Sequence, residues 1–175
     1  MLQFNQIFVT VGTTIFPELI DTVISDEILA ILSKYQCKKL VLQHGTSQPI
    51  SNDRIEEIAS KFDIEMICFD YKSTIQGDID ASNLIISHAG AGTCIEVLSA
   101  HRPLIVVVND KLMHNHQTEL AEQLSKDGHL LFCLRESLAN TLDNLDQKIH
   151  SLVPYEQNFH NMTKFMDHLD SLMGF

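Results

Sequence analysis

Leu84-Ile85-Ile86-Ser87-His88-Ala89-Gly90-Ala91-Gly92-Thr93-Cys94-Ile95-Glu96 is the stretch that decides the fold. A short apolar run meets a glycine-bearing turn, and the turn opens a helical pattern expected from about Thr93 to Ala100. Working outward, the same alternation recurs. Ile7–Val11, Lys39–Gln43, Glu65–Phe69, Leu84–Ser87, Leu104–Val108 and Leu130–Cys133 read as strands. Phe16–Leu32 has helical period with a break near Ser25-Asp26. Asp53–Lys61 reads as a helix, with Asp53 and Glu56 at capping-box spacing. A helix from about Gln117 to Lys126 is stopped by Asp127-Gly128, and Glu136–Leu152 reads as helical. Near-continuous apolar strands alternating with amphipathic helices predict an α/β domain: a parallel sheet with helices on both faces. Ligands in such sheets bind beyond the carboxyl ends of the strands. That directs attention to the loops after Val11, Phe69, Ser87 and Val108.

The chain has 175 residues, 45% of them apolar, enough for one domain with a real core. No apolar run approaches the roughly 20 residues of a membrane helix. Met1–Asn5 lacks the basic and apolar regions of a signal peptide. The expectation is a cytosolic protein with no direct membrane insertion. The formal charge of −11 repels phosphate backbones and anionic lipid, which argues against nucleic acid as a partner. Cys37, Cys68, Cys94 and Cys133 form no C-x-x-C pair, so reduced thiols are expected rather than zinc or disulfides.

Gly90 and Gly92 are expected to permit positive φ and to let an anion approach the backbone. The helix start then offers unpaired N–H donors and the positive end of a dipole. The alternative is a tight turn with glycines for packing. The dinucleotide fingerprint is absent, because its third glycine would fall at Ile95. Glu96 has two readings: a capping box with Thr93, or a carboxylate that accepts both hydroxyls of a ribose. Gly12, Thr13 and Thr14 follow the first strand and suit phosphate or uracil; alternatively they form a turn and N-cap before Pro17. Asn115, His116 and Gln117 close the polar loop after Val108 and suit sugar hydroxyls. His114 and His116 lack a third ligand, so no metal is expected. His88 could serve as a base, a phosphate contact or a structural side chain. Cys94 reads as a buried thiol rather than a nucleophile. Asn158–Leu172 carries Phe159, Met162, Phe165, Met166 and Leu169 at helical spacing. It reads either as a helix folded back on its own domain or as a docking helix.

Taken together, Gly12-Thr13-Thr14 with Phe16, Ile85–Thr93, Pro103–Asn109 and Leu112–Gln117 resemble the C-terminal domain of family 28 glycosyltransferases. They resemble most the small soluble catalytic subunits of two-chain UDP-N-acetylglucosamine transferases in dolichol-linked oligosaccharide assembly. The resemblance spans about Ile7 to Phe132. It implies a Rossmann-like domain, residues 1–152, equivalent to the C-terminal half of a GT-B enzyme, with 153–175 a candidate docking segment. It implies an inverting N-acetylglucosaminyl transfer from UDP-N-acetylglucosamine to dolichyl-diphosphate-N-acetylglucosamine, the second step of lipid-linked oligosaccharide synthesis for N-glycosylation. A membrane-anchored subunit would bind the acceptor and recruit this chain, through Asn158–Leu172, to the cytosolic face of the endoplasmic reticulum. No cofactor is implied. By the same resemblance Gly12, Thr13 and Thr14 line the donor site, and Tyr71 lies near uracil. Gly90, Ala91, Gly92 and Thr93 meet the diphosphate, Glu96 the ribose, and Asn115, His116 and Gln117 the sugar. The base would lie in the partner, with His88 as the fallback catalytic residue. One departure stands out: the family's aspartate before Asn-His-Gln is His114 here. Other readings are a UDP-sugar epimerase, which normally carries both halves in one chain, and a non-catalytic nucleotide-sugar-binding regulatory subunit.

Overall fold

The structure is a computed structural model that describes residues 2–108 and 116–156. The loop 109–115, the side chains of His116 and Gln117, and the Asn158–Leu172 segment therefore lie outside the described residues. Six strands form one sheet: β1 (Gln6–Thr10), β2 (Lys39–Gln43), β3 (Glu65–Phe69), β4 (Leu84–His88), β5 (Leu104–Val108) and β6 (Leu131–Leu134). Their order is β3-β2-β1-β4-β5-β6, and every neighbouring pair is parallel.

Parallel strands need crossovers, and here helices supply them on both faces. α1 (Pro17–Val23), α2 (Asp26–Lys34) and α3 (Asn52–Phe62) precede β3. α4 (Gln76–Ala81), α5 (Ala91–Ser99) and α6 (His116–Lys126) connect the second half of the sheet. One face of the central strands packs Ile7, Val9, Leu40, Leu42, Ile86, Ile105 and Val107 against residues of α1, α2 and α3. The opposite face packs Phe8, Val41, Ile85, Val106 and Val108 against Ile79 of α4, Val97 and Leu98 of α5, and Ala121 and Leu124 of α6. Burial on both faces is the reason β4 and β5 carry apolar side chains almost without interruption.

Local chemistry sets the helix ends. Pro17 occupies the first turn of α1, where a missing N–H costs nothing, and the capping position is Phe16. The break near Ser25 is real: its hydroxyl accepts the Ile28 N–H at 3.4 Å and starts α2. The capping expectation for the next helix needs correction. Ser51, not Asp53, caps α3, accepting the Arg54 N–H at 3.3 Å. Serine can adopt the extended backbone that a cap needs while its short hydroxyl reaches back. α4 arises from a stretch without strong periodicity. Its Ile79 is fully buried, so tertiary packing rather than propensity holds it.

The region expected as one helix from Glu136 to Leu152 is broken. It forms a 3₁₀ turn, α7 (Leu138–Asp143), α8 (Leu145–Lys148) and a second 3₁₀ turn. The Tyr35 hydroxyl, buried, donates to the Leu142 carbonyl at 2.8 Å and ties α7 to the end of α2. Val153 then donates its amide to the Gly128 carbonyl at 2.9 Å, so the chain up to there is strapped to the domain.

The capping geometry has a measurable consequence. Ser51→Ala is expected to lower unfolding stability by about 1 kcal/mol in denaturant titrations. Asp53→Ala is expected to cost less than half as much, because its carboxylate contributes only near the helix dipole.

Candidate functional site

The strand order has one reversal, between β1 and β4. The chain leaves β1 toward β2 and β3, and leaves β4 toward β5 and β6. The turns after these two strands therefore diverge and leave a crevice at the carboxyl ends. Both glycine-bearing turns noted in the sequence flank it.

The turn after β1 is built on a buried hydroxyl. Thr10 donates to Gln43 Oε1 at 2.6 Å and accepts the Gly12 N–H at 2.9 Å. Thr14 turns back, its amide reaching the Val11 carbonyl at 3.1 Å and its hydroxyl the same carbonyl at 2.6 Å. Gly12 sits at φ +58°, where a side chain would be strained. The Gly12 and Thr14 amides are thus occupied internally. Thr13 is exposed, and its amide and hydroxyl have no partner among the described residues.

The turn after β4 differs from the expectation in three ways. The helix begins at Ala91, earlier than Thr93, with Gly90 as the cap at φ −74° and ψ 120°. Neither Gly90 nor Gly92 has positive φ. Glycine at these positions answers to space instead. A side chain on Gly92 would meet no atom of the described residues within 4 Å beyond its own helix backbone, so among them it borders open space. A Cβ on Gly90 would collide with the His88 ring, 2.7 Å from Cε1. Third, no side chain caps α5, so the Thr93–Glu96 capping box does not form. Glu96 is exposed, has no partner among the described residues, and shares a helix face with Gly92 at i,i+4 spacing. The first helical bond runs from Cys94 N–H to the Gly90 carbonyl at 3.0 Å. The amides of Ala91, Gly92 and Thr93 precede it and point out of the helix with the positive dipole end.

His88 lies beneath both turns, 9% exposed. Besides its contact with Gly90, its Cε1 would lie 2.8 Å from a Cβ on Gly12. Its Nδ1 is buried without a hydrogen-bond partner. Burial holds its pKa below the ordinary value near 6.5, partly opposed by the Thr10 backbone. At neutral pH the ring is therefore uncharged. Cys94 is fully buried and its thiol is pushed up to about 12 by desolvation, so no thiolate forms at this helix start. Arg102, the described lysine or arginine nearest in sequence to this turn, donates to the Asp80 carbonyl at 2.6 Å, and Lys72 is engaged with Asp78 at 2.7 Å and lies 4.0 Å above the Phe69 ring. Among the described residues, the donors that the two turns present are thus backbone dipoles rather than ammonium or guanidinium groups.

Tyr71, 65% exposed, stands just beyond β3. Its amide donates to the Asp70 carboxylate at 2.6 Å. Tyr71 shares an open cleft of about 500 Å³ with Gly12 and Thr13. Residues 90–96 do not line that cleft, since β3 stands three strand spacings, about 14 Å, from β4. The cleft also takes in His44, Gly45, Thr46 and Ser47. His44 is buried, and its Nδ1 lies 3.1 Å from the Ser47 carbonyl. Gly45, at φ +57°, leaves room for the Gly12 and Thr14 carbonyls. Sequence reasoning misses this loop. The signal that could find it is its place at the carboxyl end of β2, adjacent to β1. Of the residues expected to hold a sugar, Asn115 lies outside the described residues, as do the side chains of His116 and Gln117. Among the described residues no three His, Cys, Asp or Glu side chains cluster as metal ligands.

The buried state of His88 sets a pH dependence. Its folded pKa is below the unfolded value, so the unfolded chain binds more protons just below pH 6.5. Its contribution to stability is complete above that pH and declines on acidification, by at most about 1.4 kcal/mol per pH unit. His88→Gln is expected to flatten the fall in stability between about pH 6.5 and 5, measured by urea unfolding at a series of pH values.

Residues 6–172 match the model of the glycosyltransferase family 28 C-terminal domain. The mouse UDP-N-acetylglucosamine transferase subunit ALG13 is 44% identical over 126 residues, which are 72% of this chain and 10% of that protein. The Candida albicans protein of the same name is 33% identical over 177 positions, covering 81% of this chain and 60% of its own length. The chain thus spans a small part of the mammalian relatives and three-fifths of the Candida one. The NMR solution structure of ALG13 superposes with a TM-score of 0.64 at 28% identity, covering 87% of this chain and 89% of that one. MurG of Acinetobacter baumannii shares the fold with a TM-score of 0.59, covering 83% of this chain and 41% of that one. With a six-stranded parallel sheet, a crevice at its reversal point and a family match over nearly its whole length, this chain belongs to glycosyltransferase family 28 as a C-terminal domain of the GT-B type.

Proposed function

We propose that this chain is the donor-binding catalytic subunit of a two-subunit, inverting UDP-N-acetylglucosaminyltransferase. The observation that carries the reading is the unpaired first turn of α5, Ala91 to Thr93, opening on the crevice beside Gly92. A nucleotide diphosphate is the kind of ligand such a turn holds without side-chain cations. The relatives' names supply the sugar: proteins called UDP-N-acetylglucosamine transferase subunits share this domain. The word "subunit" in those names supports a partner. The acceptor is then dolichyl-diphosphate-N-acetylglucosamine, held by a membrane-anchored chain at the cytosolic face of the endoplasmic reticulum. No helix among the described residues is long and apolar enough to cross a membrane.

In this reading the α5 amides meet the diphosphate, joined by the Thr13 amide and hydroxyl. Glu96 accepts the ribose hydroxyls, a use its unpartnered carboxylate supports. Tyr71 flanks the base, and Asn115, His116 and Gln117 hold the sugar. The acceptor hydroxyl attacks the anomeric carbon from the face opposite UDP, and the departing diphosphate gains charge. Amides already aimed at it stabilise that charge without reorganising. His88 is a poor base, because the two glycine turns cover its ring, so the base belongs to the acceptor half. Gly12 and Thr14 contribute shape rather than amide hydrogens.

A regulatory subunit that binds the nucleotide sugar without catalysis fits the same crevice and differs in outcome. The test is binding of UDP-N-acetylglucosamine to the chain, followed by transfer assays with and without the membrane partner. Transfer only in the mixture is expected; donor binding with no transfer in any mixture favours the regulatory subunit. Glu96→Ala is expected to weaken donor binding about tenfold or more while shifting Tm by less than about 2 °C, since the Glu96 carboxylate has no hydrogen bond or ion pair among the described residues. Equal loss of stability with unchanged donor affinity contradicts the ribose assignment.

A further inference from the structure

The glycine at position 90 has an unusual requirement. Its backbone, at φ −74° and ψ 120°, is one that any residue adopts. No positive φ calls for glycine there, and the amide is at the cap rather than inside the helix. What excludes a side chain is one neighbour, His88, whose Nε2 and Cε1 occupy the place where a Cβ would go, with Cε1 at 2.7 Å. The same ring blocks a Cβ on Gly12, at 2.8 Å from Cε1 and 3.4 Å from Nε2. One imidazole thus touches both turns that flank the crevice. It is nearly buried, with its Nδ1 unpartnered. Hydrogen bonds hold the base of the first turn, where the Thr10 hydroxyl donates to Gln43 and accepts the Gly12 amide.

We propose that His88 is a positioning residue: a spacer wedged between Gly12 and Gly90 that sets the separation of the two turns, and through them aims the α5 amides at the ligand. The proposal rests on the reading of this crevice as a diphosphate site. It gives His88 no proton to transfer and no direct bond to the substrate. No hydrogen bond between the two turns beyond the β1–β4 ladder occurs among the described residues, and the ring is a contact that spans both. A packed interior transmits such a displacement rather than absorbing it. A change of a few tenths of an ångström at Gly90 therefore moves the first turn of α5.

A double-mutant cycle tests this, because Gly90→Ala adds a methyl at a φ that alanine adopts, and its capping cost is common to both His88 backgrounds and cancels. UDP is titrated calorimetrically into the wild-type chain, Gly90→Ala, His88→Ala and the double variant, with thermal unfolding followed in parallel. Gly90→Ala is expected to weaken UDP about tenfold, the effect of overpacking against a buried ring. His88→Ala is expected to weaken it several-fold, at temperatures where the chain stays folded. The double variant is expected to bind no more weakly than His88→Ala alone, because removal of the ring makes room for the methyl. If Gly90→Ala does not fold, recovery of folding in the double variant supports the spacer, and its failure to recover contradicts it. An equal cost of Gly90→Ala with and without the His88 ring overturns the proposal, since the ligand rather than the ring would then require the glycine. His88→Ala that binds UDP as wild type yet loses transfer, with an altered pH profile, also overturns it in favour of a base. Wild-type chain that binds no UDP defeats the donor reading itself, and the spacer with it.

Discussion

β1 and β4 lie side by side and parallel while the chain departs from them in opposite directions, and the rest of the molecule follows from that constraint. It separates the turns after the two strands and leaves a crevice where neither can cover the other. It also brings Gly12 and Gly90 close enough for one side chain, His88, to touch both. The pairing itself is set by near-continuous apolar strands that must be covered on two faces, which is why helices occupy both sides.

On the proposed function, the crevice works with dipoles. The chain carries a formal charge of −11, and its described lysines and arginines are largely spent in surface ion pairs such as Lys38–Asp63, Lys61–Asp26 and Lys72–Asp78. A diphosphate approaching such a surface meets repulsion from distance and attraction only from near groups. At physiological salt the repulsion is screened beyond about 8 Å, while amides at contact distance are not. A helix start bare of side-chain caps suits that situation, because its amides stay free to donate to a ligand's oxygens. A conventional capping residue at position 90 would compete for the same donors.

The architecture was legible because burial on two faces leaves a strong mark in sequence. All six strands stood where the apolar runs put them, and Pro17, Ser25 and Gly128 marked helix boundaries by local chemistry. What was not legible depended on three-dimensional neighbours. Ser51 rather than Asp53 caps α3, a choice of one turn's register that spacing alone leaves open. α4 lacked periodicity because it is short and held by one buried isoleucine. Gly90 looked like a residue chosen for its backbone freedom, and proved to be one chosen for lack of a Cβ, because the ring that excludes the side chain is visible only after folding. Gly12 offered no free amide, because Thr10, two residues earlier and facing inward, had taken it. The His44 loop was missed although its position beyond β2 obeys the same rule that singled out the others.

The account stands on backbone donors at the start of α5, and amide NMR during a UDP titration reads them directly. The resonances of Ala91, Gly92, Thr93 and Thr13 are expected to move together and saturate at one affinity, with the internally bonded Gly12 amide moving less. Saturable binding that leaves residues 91–93 unmoved, or shifts confined to a surface remote from both turns, would contradict it.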